Sequence, residues 1–293
     1  MPAGLSARVT ALRSLFRPAV GAALFVAAVL AAPHAVLVGT AGAIDKRGES
    51  VLCEIGTPRG WSVRRLTSCD SAEIIEFPRD SGRYGARFNI VPYDPKISAG
   101  IRAELRDMDE FVNGDEVWYR FSTLIPNTFP VDQDHSVVLA QWHERVPAGN
   151  HDYRPPLAHR LRDGDLLVTL WNDDLFDATG GKGSGLIAYR EPGLKTGRFH
   201  EFVYRVRWSA DDDGFVHGWK RICGLTDCNG AEWRRIVRHD GPVGYEQAAG
   251  YYFKIGIYTV HAFAAPMVVY HKEYSAGRSP QAVGADAPVF LED

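Results

Sequence analysis

Apolar and polar side chains alternate with a period of two through much of the chain after Arg102, the pattern of half-buried strands. Glu116–Ile125 alternates as far as Pro126, and Ser136–Glu144 and Leu166–Asn172 follow. Phe202, Tyr204, Val206 and Trp208 then alternate with Glu201, Val203, Arg205 and Arg207 before an Asp211–Gly214 turn. Phe215–Ile222, Tyr251–Val260 and Met267–His271 complete the set, with Gly, Pro, Asn and Asp clusters between the segments. Helical periodicity is nearly absent. The pattern predicts an all-β chain, an antiparallel β-sandwich or jelly roll of two sheets, in one domain spanning residues 44–293. Asp173–Arg190 is polar, Gly-rich and without a strand pattern, so it is expected to be a loop that would act as a lid if it lay over a groove.

Three segments carry reactive side chains on one strand face. Same-face neighbours in a strand lie roughly 6.5–7 Å apart. Arg102, Glu104 and Arg106 therefore share a face, as do Gln141 and His143, and as do Tyr252, Lys254 and Tyr258. The opposite faces carry Ala103 and Leu105, then Val138, Ala140 and Trp142, then Phe253, Ile255 and Ile257. One side of a sheet would be core and the other a concave groove of guanidinium, amide, imidazole, ammonium and phenol groups. That set suits binding a sugar acid and moving a proton on it.

Residues 1–43 read as a secretory signal peptide: Arg8, Arg13 and Arg17 precede an apolar run from Ala19 to Ala32, and Ala41-Gly42-Ala43 offers a small-residue cleavage site. The apolar run is shorter than the ~20 residues of a spanning helix, so the mature protein is expected to be secreted and free of the membrane. The segment holds three Arg and no acid, so its removal takes the formal charge from −3 to −6. A mildly acidic surface argues against nucleic acid as a partner, and a polyanion would need a local basic cleft. All four cysteines, Cys53, Cys69, Cys223 and Cys228, fall in the mature part, which suggests two disulfides in an exported chain. Sequence proximity favours Cys53 with Cys69 and Cys223 with Cys228. A zinc reading of Cys223 and Cys228 lacks a second pair of matching spacing.

At the three segments the sequence resembles the jelly-roll, concanavalin-like polysaccharide lyases. Arg102-Ala-Glu-Leu-Arg106 is similar to the alginate-lyase motif RSELR, Gln141-Trp-His143 to QIH, and Tyr252-Phe-Lys-Ile-Gly-Ile-Tyr258 to YFKAGVY, in the same order. Phe199–Trp208 with Asp213–Lys220 looks closer to the glucuronan-lyase and heparin-lyase group. The chain departs from the alginate pattern at Ala103, where Ser is usual, and at Thr259-Val260, where Asn-Gln is usual.

The resemblance implies β-elimination at a 4-linked uronate: the C5 proton is removed and the oxygen on C4 expelled. The neighbouring carboxylate opposes carbanion formation, so donors must neutralise it. Gln141 and an arginine fit, with Arg102 the first choice and Arg106 the second. Glu104 is read as orienting those arginines. His143, with an ordinary pKa of ~6.5, and Tyr258 are the acid and base; by resemblance Tyr258 protonates the leaving oxygen, and either group takes the C5 proton. Lys254 would assist, and Tyr252, Trp171 and Asn172 are candidate sugar contacts, Trp171 being equally consistent with core. Arg154, Arg160 and Arg162 are basic but cannot be placed from the sequence.

The expected partner is an anionic polysaccharide, cut from within the chain by a monomer. No cofactor is required, since Gln141 and arginine do the neutralising, and a structural calcium is compatible with the acids at Asp173, Asp174 and Asp177. Two rival readings remain. A carbohydrate-binding sandwich module would bind without cleaving. A concanavalin-like glycoside hydrolase would need two carboxylates ~5–9.5 Å apart, and no strand carries Glu-x-Asp-x-x-Glu.

Overall fold

Residues Phe199–Arg207 turn the period-two pattern into architecture. Phe202, Tyr204 and Val206 point into the main core, whereas Val203 points out, into a separate cluster with Trp118, Trp219 and Phe290. The computed structural model describes residues 49–51, 61–77, 81–108, 110–132, 134–150, 153–285 and 290; the expected signal peptide at 1–43 and Cys53 lie outside the described residues.

The strands are β1 (Glu49–Val51), β2 (Trp61–Leu66), β3 (Ala72–Glu76), β4 (Tyr84–Ile90), β5 (Ile101–Asp107), β6 (Glu116–Leu124), β7 (Val137–Glu144) and β8 (Leu157–Arg162). After β9 (Asp165–Leu170) comes a helix, α1 (Asp173–Thr179). It is followed by β10 (Leu186–Glu191), β11 (Phe199–Arg207), β12 (Phe215–Cys223), β13 (Arg234–Asp240), β14 (Tyr251–Thr259) and β15 (Met267–Gly277). They form two antiparallel sheets, ordered β1-β3-β4-β15-β6-β11-β12-β13 and β10-β9-β8-β7-β14-β5-β2. This is the expected all-β jelly-roll sandwich.

The sheets are held face to face by aromatic rings. Trp142 on β7 meets Phe253 on β14 at 4.8 Å and crosses to Tyr119 on β6 at 5.3 Å. Phe121 on β6 also reaches Trp142 edge-on, with 5.9 Å between ring centres. Offset and edge-on pairs of this kind add about 0.5–1.5 kcal/mol each beyond the area they bury. Cys223 and Cys228 form the expected disulfide, and Cys69 is also disulfide-bonded.

Two expectations are corrected. Asp173–Arg190 is not a structureless loop: it contains α1, capped by Asn172, whose Oδ1 accepts from Leu175 N at 2.9 Å, and most of β10. The alternation misses α1 because it is too short to display a periodic face. Alternation places Val138 on the core face, but it faces the groove. A register shift between Val138 and Ala140 against β8 inserts an extra residue, so Leu139 and Ala140 both go inward.

Candidate active site

The seven-stranded sheet places the three sequence segments side by side. β14 lies between β7 and β5, with Lys254 opposite Gln141 on one side and Arg106 on the other. Tyr252 stands opposite His143, and Tyr258 opposite both Val138 and Arg102. Gly256 makes this possible. Its φ of +147° suits glycine, and a Cβ there would sit 2.1 Å from the Ala103 carbonyl oxygen. The β14 ladder slips against β7 between Ile255 and Tyr258, yet Tyr258 stays on the groove side with Tyr252 and Lys254.

The result is a groove of about 780 Å³, within the range of ligand pockets, ~300–1,000 Å³. Arg102, Gln141, His143, Tyr252, Lys254 and Tyr258 all line it. So do Arg65 from β2, Ser98, Tyr153, Arg154, Arg160 from β8, Phe176 from α1 and His261. Five cations thus line the groove, and among the described residues no carboxylate does.

Glu104 sits beneath this surface, 3% exposed. It accepts a hydrogen bond from Gln141 Nε2 and one from Arg102 Nη1 at 3.1 Å, and Lys254 Nζ lies 3.8 Å away. Arg102 also donates to the Ser98 carbonyl at 2.9 Å and packs its guanidinium 3.7 Å over the Tyr258 ring. Glu104 therefore orients one arginine and the glutamine, not both arginines. Arg106 pairs with Glu110 and lies 3.7 Å over the Tyr252 ring, away from the groove lining. Its nearer acid, Glu110, draws it off, which leaves Arg102 as the one of the two arginines that lines the groove.

His143 stacks beside Tyr252 with 5.9 Å between ring centres. Its Nδ1 lies 3.2 Å from the Glu144 carbonyl, which can only accept, so Nδ1 carries the proton and Nε2 is the ring's acceptor. Burial, followed by the positive charge of Lys254, lowers its pKa to about 3. Burial and the neighbouring Arg154 lower that of Arg160 to about 10, leaving it a cation near neutrality.

Two predicted sugar contacts do not reach the groove. Trp171 is 1% exposed and packs in the interior. Asn172 is occupied as the α1 cap, and its Nδ2 lies 3.4 Å from the Pro242 carbonyl. Arg162 is also elsewhere, 3.5 Å from Asp163. Sequence reading missed Arg65, Tyr153, Phe176 and His261 as groove residues. Arg160 alternates with His159, which was a usable signal, but the pairing of β8 onto β7 was not readable. The three-ligand cluster of Glu201, Cys223 and Cys228 is not a metal centre in this state, because its two sulfurs are bonded to each other.

The chain is thus a jelly-roll sandwich with a cation-lined groove on its seven-stranded sheet. The family model described as Polysaccharide lyase matches residues 53–275, and the chain belongs to that family; it is a polysaccharide lyase. Among solved structures, it is similar to an endo-β-1,4-glucuronan lyase from the fungus Trichoderma reesei, at 17% identity and a TM-score of 0.59 over 81% of this chain and 98% of that one. A marine PL-14 alginate lyase from Aplysia kurodai matches at 12% identity and a TM-score of 0.47, over 72% and 88% of the two chains. A GH131 β-glucanase catalytic domain from Podospora anserina matches at 13% and 0.46, over 74% and 82%. Likeness at these identities is one of fold. No curated protein matches the chain.

Proposed function

We propose that this lyase cleaves a 4-linked, uronate-containing polysaccharide by β-elimination, and that it is exported. The observation that carries the reading is the meeting of Arg102, Gln141, Lys254 and Tyr258 in a groove lined by five cations and, among the described residues, by no carboxylate. Glucuronan-like and alginate-like chains both fit this chemistry. Export rests on the leader pattern of residues 1–43 and on the Cys223–Cys228 disulfide, which persists in oxidising compartments.

The uronate carboxylate would lie against Arg102 and Gln141, which neutralise it and stabilise the charge that develops as the C5–H bond breaks. Those electrons form the C4–C5 double bond, the C4–O bond breaks, and the leaving oxygen takes a proton. Tyr258 is assigned both transfers: as the phenolate, under the Arg102 guanidinium, it receives the C5 proton, and the phenol so formed returns that proton to the leaving oxygen. His143 is a poor acceptor, since burial and then the charges of Lys254, Arg65 and Arg102 oppose its positive form. It remains neutral and orients the sugar. Neutralisation falls to Arg102 and Gln141, so no metal is assigned a step. The hydrolase alternative needs a pair of carboxylates at the bond, which the described lining lacks.

The test is near-ultraviolet absorbance with the mature protein on polyglucuronate, polymannuronate and a heparin-like chain. A rise reports the unsaturated uronate and identifies the polymer. Tyr258→Phe should lower turnover by at least about 10²–10⁴-fold, the usual worth of positioned proton transfer, with oligosaccharide affinity unchanged. New reducing ends without absorbance would mean hydrolysis, and binding without either would mean a binding module.

A further inference from the structure

The helix α1 contains no buried residue, so the core does not account for it. Its Phe176 instead lines the groove, with its ring stacked on Tyr153 at 4.0 Å between centres and 25° between planes. Tyr245 braces the pair edge-on, 4.7 Å from the Tyr153 ring, and donates through its hydroxyl to the Arg154 carbonyl at 2.6 Å. The Arg154 side chain in turn donates from Nε to the Gly181 carbonyl at 2.8 Å. Among the described residues its Nη groups carry no hydrogen bond.

Gly181 keeps the Phe176 ring in place. Its φ is +69°, and a Cβ there would meet the Phe176 ring at 2.5 Å. Several separate contacts therefore hold an apolar wall at the end of the groove that adjoins His143, since the Tyr153 amide is bound by Glu144 at 2.8 Å. Burial, with Asp173 next, raises the pKa of the Tyr153 hydroxyl, so the phenol is neutral near neutral pH and the wall is uncharged.

We propose that Phe176 and Tyr153 form a distal subsite that holds a pyranose ring of the polymer, beyond the linkage being cleaved. The inference rests on the reading under Proposed function and extends it along the groove. The aromatic wall takes the apolar C–H face of the sugar, and the Arg154 Nη groups are placed to receive its carboxylate. Asn172 contributes indirectly, by capping the helix that carries Phe176.

The test compares wild type, Phe176→Ala and Phe176→Tyr by the elimination assay, on polyglucuronate, polymannuronate and the corresponding trimers. Phe176→Ala should raise KM on the cleaved polymer about tenfold, the equivalent of one aromatic contact, with kcat within about twofold. Phe176→Tyr, which keeps the ring, should restore KM, and the effect should shrink on the trimer. The proposal is overturned by an unchanged KM, by equal losses on trimer and polymer, or by a fall in kcat that Tyr does not repair. If wild type cleaves and binds none of these chains, the functional reading itself fails and the subsite with it. An active wild type with an unaffected variant sinks the subsite alone.

Discussion

Glu104 is the residue on which the cation arrangement turns. A carboxylate that faced a groove lined by five cations would cancel part of its positive field. Placed beneath Arg102, Gln141 and Lys254, it compensates two cations and fixes the amide, so that Nε2 of Gln141 is committed to a donor role. Removing one partner of a buried charge set leaves the others uncompensated, which typically costs about 3–5 kcal/mol. Glu104→Ala is therefore expected to lose stability on that scale, measured by urea unfolding of the protein. A loss below about 1 kcal/mol would mean that water or substrate-side groups screen Arg102 and Lys254, contrary to the 3–7% exposure of Arg102, Glu104 and Lys254. Much of this constellation was legible in the sequence, because Arg102, Glu104, Gln141, His143, Lys254 and Tyr258 follow strand alternation. Arg65 and Arg160 were not, since their place depends on which strands pair, a long-range choice that periodicity does not encode.

At the scale of elements, the strand centres could be read from alternation and the irregularities could not. The bulge in β7 turns Val138 toward the groove, and the slip of β14 against β7 falls near Gly256. His271 reaches across from the other sheet to brace that slip. Its Nε2 donates to the Gly256 carbonyl at 3.1 Å, while Nδ1 accepts from the Thr123 hydroxyl at 3.0 Å. Gly256→Ala would combine left-handed strain of about 1–3 kcal/mol with a clash against Ala103 that β5 must yield to. The expected outcome is a lower Tm together with a larger loss of activity than Tm alone explains, because β5 carries Arg102 and β14 carries Tyr258. Thermal melting and turnover of the soluble fraction would check this, and full activity with a lowered Tm would mean that the two strands shift without moving the site. The helix α1 escaped notice for a different reason: at seven residues with no buried face, it has no amphipathic period to detect.

For the molecule as a whole, charge is unevenly distributed: the chain is acidic, with a formal charge of −3, while its groove is lined by five cations. Attraction of an anionic ligand would therefore be local, while the interior holds three histidines in their neutral forms. His159, His200 and His271 are 0–2% exposed, and burial lowers their pKa values to about 3, 4 and 3. His159 exchanges a hydrogen bond with Tyr204 at 2.8 Å, and His200 donates to the Lys195 carbonyl. In the unfolded chain each titrates near its ordinary value of ~6.5. A depressed folded pKa means that the unfolded state binds the extra protons, so stability rises with pH wherever the two states differ in protonation. The contribution is complete above about pH 6.5 and is lost as pH falls toward the folded values near 3 to 4. Within that window each histidine can remove up to about 1.4 kcal/mol per pH unit, and three acting together outweigh most single surface ion pairs. Urea unfolding at several pH values should thus give a plateau above pH ~7 and a steep decline below pH ~6. Replacing His200, whose Nδ1 has no hydrogen-bond partner among the described residues, with Gln should make that decline shallower. A decline that begins only below pH ~4.5 would instead assign acid sensitivity to carboxylate pairs such as Arg120–Glu201.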